Sequence, residues 1–411
     1  MKKIVIVAVL LLALLTGLAL ATGRVFTGQV DEVLARWTAE PGVSLLTNRL
    51  NEGWLSSSGD ASVSMPLDAN MSLELAFDWQ ARHFPGWVNY TGEAQVWLIQ
   101  GGQRINLMET WALPSIPFSG RAGFSEASLM AELEAIEFAD KDWSLLTSPI
   151  HLTGIYEYQG AGSGQLTAPR IEVATLGFDP MQLVLHETRM DWQQAGDYPW
   201  VKSEVGLSLA SLEFSQPQSH FSLHAPQLVQ KLDMSQQQFD LDWQLDSGQL
   251  LSDGQELGSM QLGMRFEQVP GQPMVDLMAL VGNQPGMDFD NPVALNQVLG
   301  HLSEALAGSP QVHLTTLDVK LVSPFEIEQS MTGQVRFNGE GVSSGYLQAL
   351  SEGQISDQDF MNRLSGELRL EKVDASLLMM LGIPPFMLGE GAQHLTWENG
   401  QLRLNGQRLP F

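Results

Sequence analysis

From residue 71 onward the chain is dominated by alternation. Met71, Leu73, Leu75, Phe77 and Trp79 are apolar and interleave with Ser72, Glu74, Ala76 and Asp78. A two-residue period sends successive side chains to opposite sides of an extended backbone, so the stretch predicts a strand with one oily face. The same pattern returns at Val96 and Leu98, at Ile105 and Leu107, and at residues 155–158. It is cleanest where Phe239, Leu241, Trp243 and Leu245 interleave with Asp240, Asp242, Gln244 and Asp246.

Helical spacing is confined to a few places. Met274, Leu277, Met278 and Val281 form one apolar stripe. Leu295, Val298, Leu299, Leu302 and Leu306 form a second, bounded by Pro292 and by Gly308-Ser309-Pro310. Strands resume at Val312 and Leu314, at 317–321, at Ile327 and at 334–337, with short helical pieces near 346–350, 357–364 and 375–381. Residues 395–406 read as a closing hairpin around Asn399-Gly400.

The dipeptide Asp-Trp recurs at 78–79, 142–143, 191–192 and 242–243, and two of these are preceded by similar predicted turns at 166–169 and 223–226. Degenerate hairpin repeats explain the recurrence, each tryptophan anchoring a strand while its aspartate faces water.

The first stretch differs from all of this. Lys2-Lys3 precedes an uncharged run over residues 4–21, about 18 residues or ~27 Å as a helix, close to the ~30 Å hydrocarbon core of a bilayer. Ile4, Val7, Leu11, Leu14 and Leu18 mark this membrane anchor, and the leading lysines place the remainder on the far side of that membrane. Ala19-Leu20-Ala21 also fits a signal-peptidase site. Against cleavage, Phe26, Val30, Val33, Leu34 and Trp37 continue with helical spacing, so one helix is expected to run from the membrane into the body. Both readings export the body.

The resulting expectation is a mainly β (α+β) chain: an N-terminal transmembrane helix, then one long curved antiparallel sheet with a few helices packed on its concave face in the C-terminal half. Its segments are a signal anchor at 1–23, a juxtamembrane helix and connector at 24–52, an antiparallel β-rich region of hairpin repeats at 53–269, and an α+β region at 270–411 completing the same sheet.

Composition narrows the partners. Asp+Glu 47 against Lys+Arg 21 gives a formal net charge of -26, which repels phosphate backbones and argues against nucleic acid. The absence of cysteine removes disulfides, thiol chemistry and Cys-ligated zinc, so an exported body is held by packing alone. No cofactor motif is present.

The closing 402–411 stretch, Gly53-Trp54-Leu55-Ser56-Ser57-Ser58, and residues 307–314 (Ala-Gly-Ser-Pro-Gln-Val-His-Leu) together resemble the YdgA-like bacterial family of unknown function. That resemblance implies an inner-membrane signal anchor and a periplasmic β-rich body. It implies no catalytic residue.

Three chemical constellations stand beside it. Gly341-Val342-Ser343-Ser344-Gly345 matches the nucleophile-elbow pattern, with Asp357, Asp359, Asp374 and His394 following in hydrolase order. The strand does not run directly into the elbow, and His394 sits in an alternating strand, so a serine hydrolase is the least favoured reading. His220 and His224 are four apart, but Phe221, Leu223 and Ala225 alternate with them. In a strand that spacing is ~13 Å, too far to share a metal. Asp240, Asp242 and Asp246 resemble a calcium loop, yet Leu245 occupies the position that needs glycine.

The oily sides of so many strands exceed the helix available to hide them. A lipid or other hydrophobic molecule bound in a candidate groove lined by Trp79, Trp192, Trp243, Met379, Met380 and Phe386 is therefore the leading expectation, and a non-enzymatic one. A scaffold binding other envelope proteins through sheet edges or the acidic face is the alternative.

Overall fold

The structure is a computed structural model. It describes residues 2–68, 70–110, 115–177, 179–283, 287, 291–322, 326–372, 389 and 391–409, with side chains from residue 14 onward and excepting that of residue 110. The chain is mainly β, with 58% of residues in strands of one large antiparallel sheet and 19% helical.

Helix α1 (Lys2–Trp37) is followed by 24 strands, all in one sheet among the described residues. The first are β1 (Ser44–Glu52), β2 (Ser56–Pro66), β3 (Met71–Phe84) and β4 (Trp87–Gln100), each paired antiparallel with the next. The partner of β4 is split between β5 (Gln103–Asn106) and β6 (Ile116–Ala122), with the short α2 (Leu107–Thr110) between them. Then β6 pairs with β7 (Glu126–Leu133), and β7 with β10 (Ile150–Glu157). A side hairpin of β8 (Glu137–Ala139) and β9 (Trp143–Thr147) attaches to the far half of β11 (Ala161–Thr175).

Beyond β12 (Gln182–Ala195) the ladder divides again. One path runs through β13 (Lys202–Ser208) and β16 (Gln227–Met234), the other through β14 (Ser211–Gln216) and β15 (Ser219–His224). Both rejoin on β17 (Phe239–Ser252). From β18 (Gln255–Val269) through β19 (Gln311–Leu321), β20 (Ile327–Phe337), β21 (Leu364–Lys372), β22 (Gln393–Glu398), β23 (Gln401–Leu404) and β24 (Gln407–Arg408) every strand pairs with its successor.

The helices predicted from spacing form where expected. They are α3 (Gly271–Asn283) and α4 (Pro292–Ala307), then α5 (Tyr346–Ser351) and α6 (Asp357–Asn362). Asn291 caps α4, its side chain accepting from the Val293 amide, and Ser356 caps α6 through the Asp359 amide. The piece expected near 375–381 lies outside the described residues.

Two local expectations change. Residues 166–169 are not a turn: they lie inside β11, where Pro169, with no N–H to give, faces a ladder position beside Glu187 at φ 49°. Residues 44–52, expected as a connector, form β1, an edge strand that needs only one neighbour and leaves most of its side chains exposed.

Among the described residues, three buried clusters hold helices to the sheet, all on one side of it. Phe26 of α1 packs with Ala81, Val88 and Ala122, and Leu34 with Ala61 and Val63. Val275 of α3 and Ala305 of α4 pack with Met234, Phe239 and Val269.

Candidate functional site

Directly paired residues on neighbouring strands share a face, so the register decides what each face is made of. One row of partners runs from β2 to β23. It begins Ser57, Ala81, Tyr90, Gly120, Leu129, Gly154 and Gly164, continues through Trp192, Val205, Gln230, Trp243 and Met264, and ends Leu314, Gly333, Leu368, Leu395, Leu404. The adjacent row on the same face carries Trp79, Phe118, Leu152, Leu166, Met190 and Leu207 and continues through Leu228, Leu245 and Leu262. Trp79, Trp192 and Trp243 therefore share one face, and the last two share one row.

From β4 through β20 neither row contains a buried residue. Every member is partly exposed except Gln230, which is exposed. Phe26 of α1 covers Trp79, edge-on at 5.5 Å, and stacks with Tyr90 at 5.6 Å. Trp192 and Trp243 lie outside the three buried clusters. The whole chain exposes 23868 Å², whereas size scaling gives about 15,700 Å² for a compact monomer of 45.1 kDa. A single sheet without a second covering layer contributes to that difference, as does the exposed start of α1.

The large side chains lie across glycines. A Cβ on Gly164 would sit 2.1 Å from Trp192, one on Gly120 2.3 Å from the Tyr90 hydroxyl, and one on Gly92 2.4 Å from Phe118. Glycine here is the bed on which a neighbouring ring rests, the pairing known as aromatic rescue. Isolated glycines inside alternating strands were the signal that could have located these positions.

The opposite face is polar. Asp60, Asp78 and Glu93 are aligned across β2, β3 and β4, and Asp60 has Arg49 at 3.9 Å. Farther along, Lys202 pairs with Asp233, Lys231 with Glu204 and Arg265 with Asp242. Two open grooves, of about 890 and 800 Å³, run over these residues. Charged side chains line both. On this face too, buried Glu74 accepts two hydrogen bonds of 2.8 Å from Arg104, whose guanidinium lies 3.8 Å over the Trp97 ring.

Where α1 meets the sheet, the Gly86 amide donates to Thr22 Oγ1 at 3.2 Å, and His83 shares a 2.9 Å hydrogen bond with Ser57 Oγ. The ring lies so close to Gly23 that a Cβ there would fall 2.1 Å from His83 Nδ1. Burial pulls the imidazole below its usual range, with the Glu52 carboxylate opposing. Ser57 and His83 are 4% and 7% exposed, so this hydroxyl–imidazole pair is sealed from substrate and fastens the helix. At the other end of α1, Arg36 contacts Glu32, Asp197 and the Tyr156 hydroxyl.

The remaining predicted residues are placed as follows. Leu14 and Leu18 are 70% and 42% exposed on α1. The side chains of Ile4, Val7 and Leu11 lie outside the described residues, as do Met379, Met380, Phe386 and Asp374. Among the described residues no helix is long and apolar enough to cross a membrane. Ser343 is exposed in the loop before α5 and has no hydrogen bond to a histidine or carboxylate among the described residues; His394 lies in β22. His220 and His224 lie in strand β15, where His220 bonds Ser215 at 2.8 Å. Trp143 opens β9 and packs on Phe138 at 4.9 Å, away from both rows.

Residues 1–340 match a family described as bacterial protein of unknown function (DUF945). Neither curated proteins nor solved structures gave a match.

Proposed function

We propose a lipid-binding, non-enzymatic role for this chain, which belongs to the DUF945 family of bacterial proteins of unknown function and inherits no activity from it. In this reading the sheet curves into a trough, α1 tethers it to the inner membrane from the periplasmic side, and acyl chains lie along the apolar rows that contain Trp192 and Trp243.

The observation that carries the proposal is the pair of apolar rows that runs from β4 through β20 without one buried member. Soluble monomers seldom expose contiguous apolar patches beyond a few hundred Å². Burial contributes roughly 25 cal/mol per Å², so a long chain of methylenes laid on leucines and indoles is stabilised at ~0.8 kcal/mol per CH₂. The rows bear no buried charge to orient a headgroup, which favours recognition by the hydrocarbon part.

A photoreactive benzophenone amino acid placed at Trp192 tests this in the full-length chain. Irradiation in cells followed by mass spectrometry should show a lipid adduct at 192 and none at Glu204, on the polar face. Equal capture at both positions, or none at 192, sinks the proposal.

A further inference from the structure

We infer that the hairpin tips around the point where α1 leaves the sheet form a collar seated in the headgroup layer of a zwitterionic phospholipid bilayer. This rests on the tether reading and adds to it a second contact between body and membrane.

The path of α1 fixes the direction. Thr22 meets Gly86 at the β3–β4 turn, Phe26 packs one step in on Ala81 and Val88, and Leu34 reaches Ala61 and Val63. The helix thus descends along the strands; Ala19 is still buried at 2% exposure, and it is residues 14–18 that project past the turns, with Leu14 70% exposed.

The turns at that end are not the polar ones that loops ordinarily carry. Trp54 is 78% and Leu55 53% exposed between β1 and β2, and Phe124 is 53% exposed between β6 and β7. Between them, at the β3–β4 turn, Phe84 stacks on Trp87 at 5.5 Å, and Arg121 lies 4.6 Å over the Trp87 ring. Indoles and snorkelling arginines are side chains that favour the boundary between hydrocarbon and water.

Charge selects the lipid. Glu52 and Glu126 lie at the same end as Arg82 and Arg121, and the whole chain carries -26, so no basic patch draws it to anionic headgroups. The far end of the sheet also exposes Leu67 and Met181. It is a strand's length away, ~45 Å for 14 residues, and cannot touch the same bilayer surface.

The cysteine-free chain allows a direct test. Trp54→Cys, Phe124→Cys, Asp253→Cys and Leu11→Cys would each carry one nitroxide in the full-length protein. The proteins are reconstituted in nanodiscs of phosphatidylcholine and phosphatidylethanolamine, and collision of the label with dissolved oxygen is compared with collision with a water-soluble nickel chelate. Labels at 54 and 124 should favour oxygen several-fold, and the label at 253, in the far-end β17–β18 turn, should favour the chelate. Chelate preference at 54 and 124 with oxygen preference at 11 would overturn the collar and leave the tether standing. Chelate preference at 11 as well, or a chain that the discs do not retain, would refute both.

Discussion

Gly164→Ala is the substitution that most directly probes how the apolar face is built. The new methyl would stand 2.1 Å from Trp192 and 2.6 Å from the Thr153 carbonyl oxygen, where ordinary carbon contacts are ~3.5–4.0 Å. The backbone oxygen is held in the ladder, so the indole has to lift by more than an ångström. Overpacking of this kind costs ~1–3 kcal/mol. Lifting the ring uncovers on the order of 50 Å², which adds ~1 kcal/mol, and the restricted unfolded chain returns ~0.4–1 kcal/mol.

The net expectation is a loss of ~1–3.5 kcal/mol, concentrated in β10, β11 and β12. Because a long sheet need not unfold in one step, the suitable assay is hydrogen exchange at the amides of those strands. Protection there should fall about 5- to 300-fold, at ~1.4 kcal/mol per decade. Gly206→Ala is the matched control: Gly206 pairs with Asp191, beside Trp192, and a Cβ there meets nothing within 4 Å. With no clash to offset the restricted unfolded chain, this variant should be stabilised by ~0.4–1 kcal/mol. Adding Trp192→Ala should relieve the Gly164→Ala penalty by ~1–2 kcal/mol. Unchanged protection in Gly164→Ala, or strict additivity in the double variant, would refute the ring-on-glycine account.

Three further outcomes are expected. Arg104→Ala strands the buried Glu74 carboxylate and should cost ~2–3 kcal/mol by urea denaturation, below the ~3–5 of a fully buried pair because Arg104 is half exposed; adding Glu74→Gln should recover part of it. His83 is held neutral by burial with its pKa below 6.5, so the unfolded chain binds its proton more readily. Its contribution is therefore present above pH ~6.5 and lost as pH falls below that value through the lower folded-state pKa, and thermal melts of His83→Gln should lose part of this acid sensitivity. Asp78→Lys replaces the middle of three aligned carboxylates and should stabilise by ~0.2–1 kcal/mol, more at low salt; a lower melting temperature would count against repulsion in that row.

Much of the β architecture was legible because alternation states which side of its own strand a residue occupies. Trp79 and Trp243 could be assigned to oily faces without any knowledge of neighbours. The stripes at 274–281 and 295–306 likewise announced α3 and α4, and Asn399-Gly400 announced the last long hairpin. The site itself was less accessible. That Trp192 and Trp243 fall in one row depends on β12 pairing with β13, and β13 with β16 past the intervening β14–β15 hairpin. Nothing local encodes that choice. The bed of Gly164 under Trp192 depends on the same long-range register.

By itself the sequence determined the composition of each face, the helical stripes and the acidic charge, because these follow from side-chain period and count. The tertiary structure alone decided that the oily faces join into two long rows, that α1, α3 and α4 all land on that side, and that residues 166–169 continue a strand through a proline. The physical reason is that a strand's period is local, whereas its hydrogen-bond partners come from elsewhere in the chain, and a slip of one residue in any ladder would send the next strand's tryptophan to the opposite face.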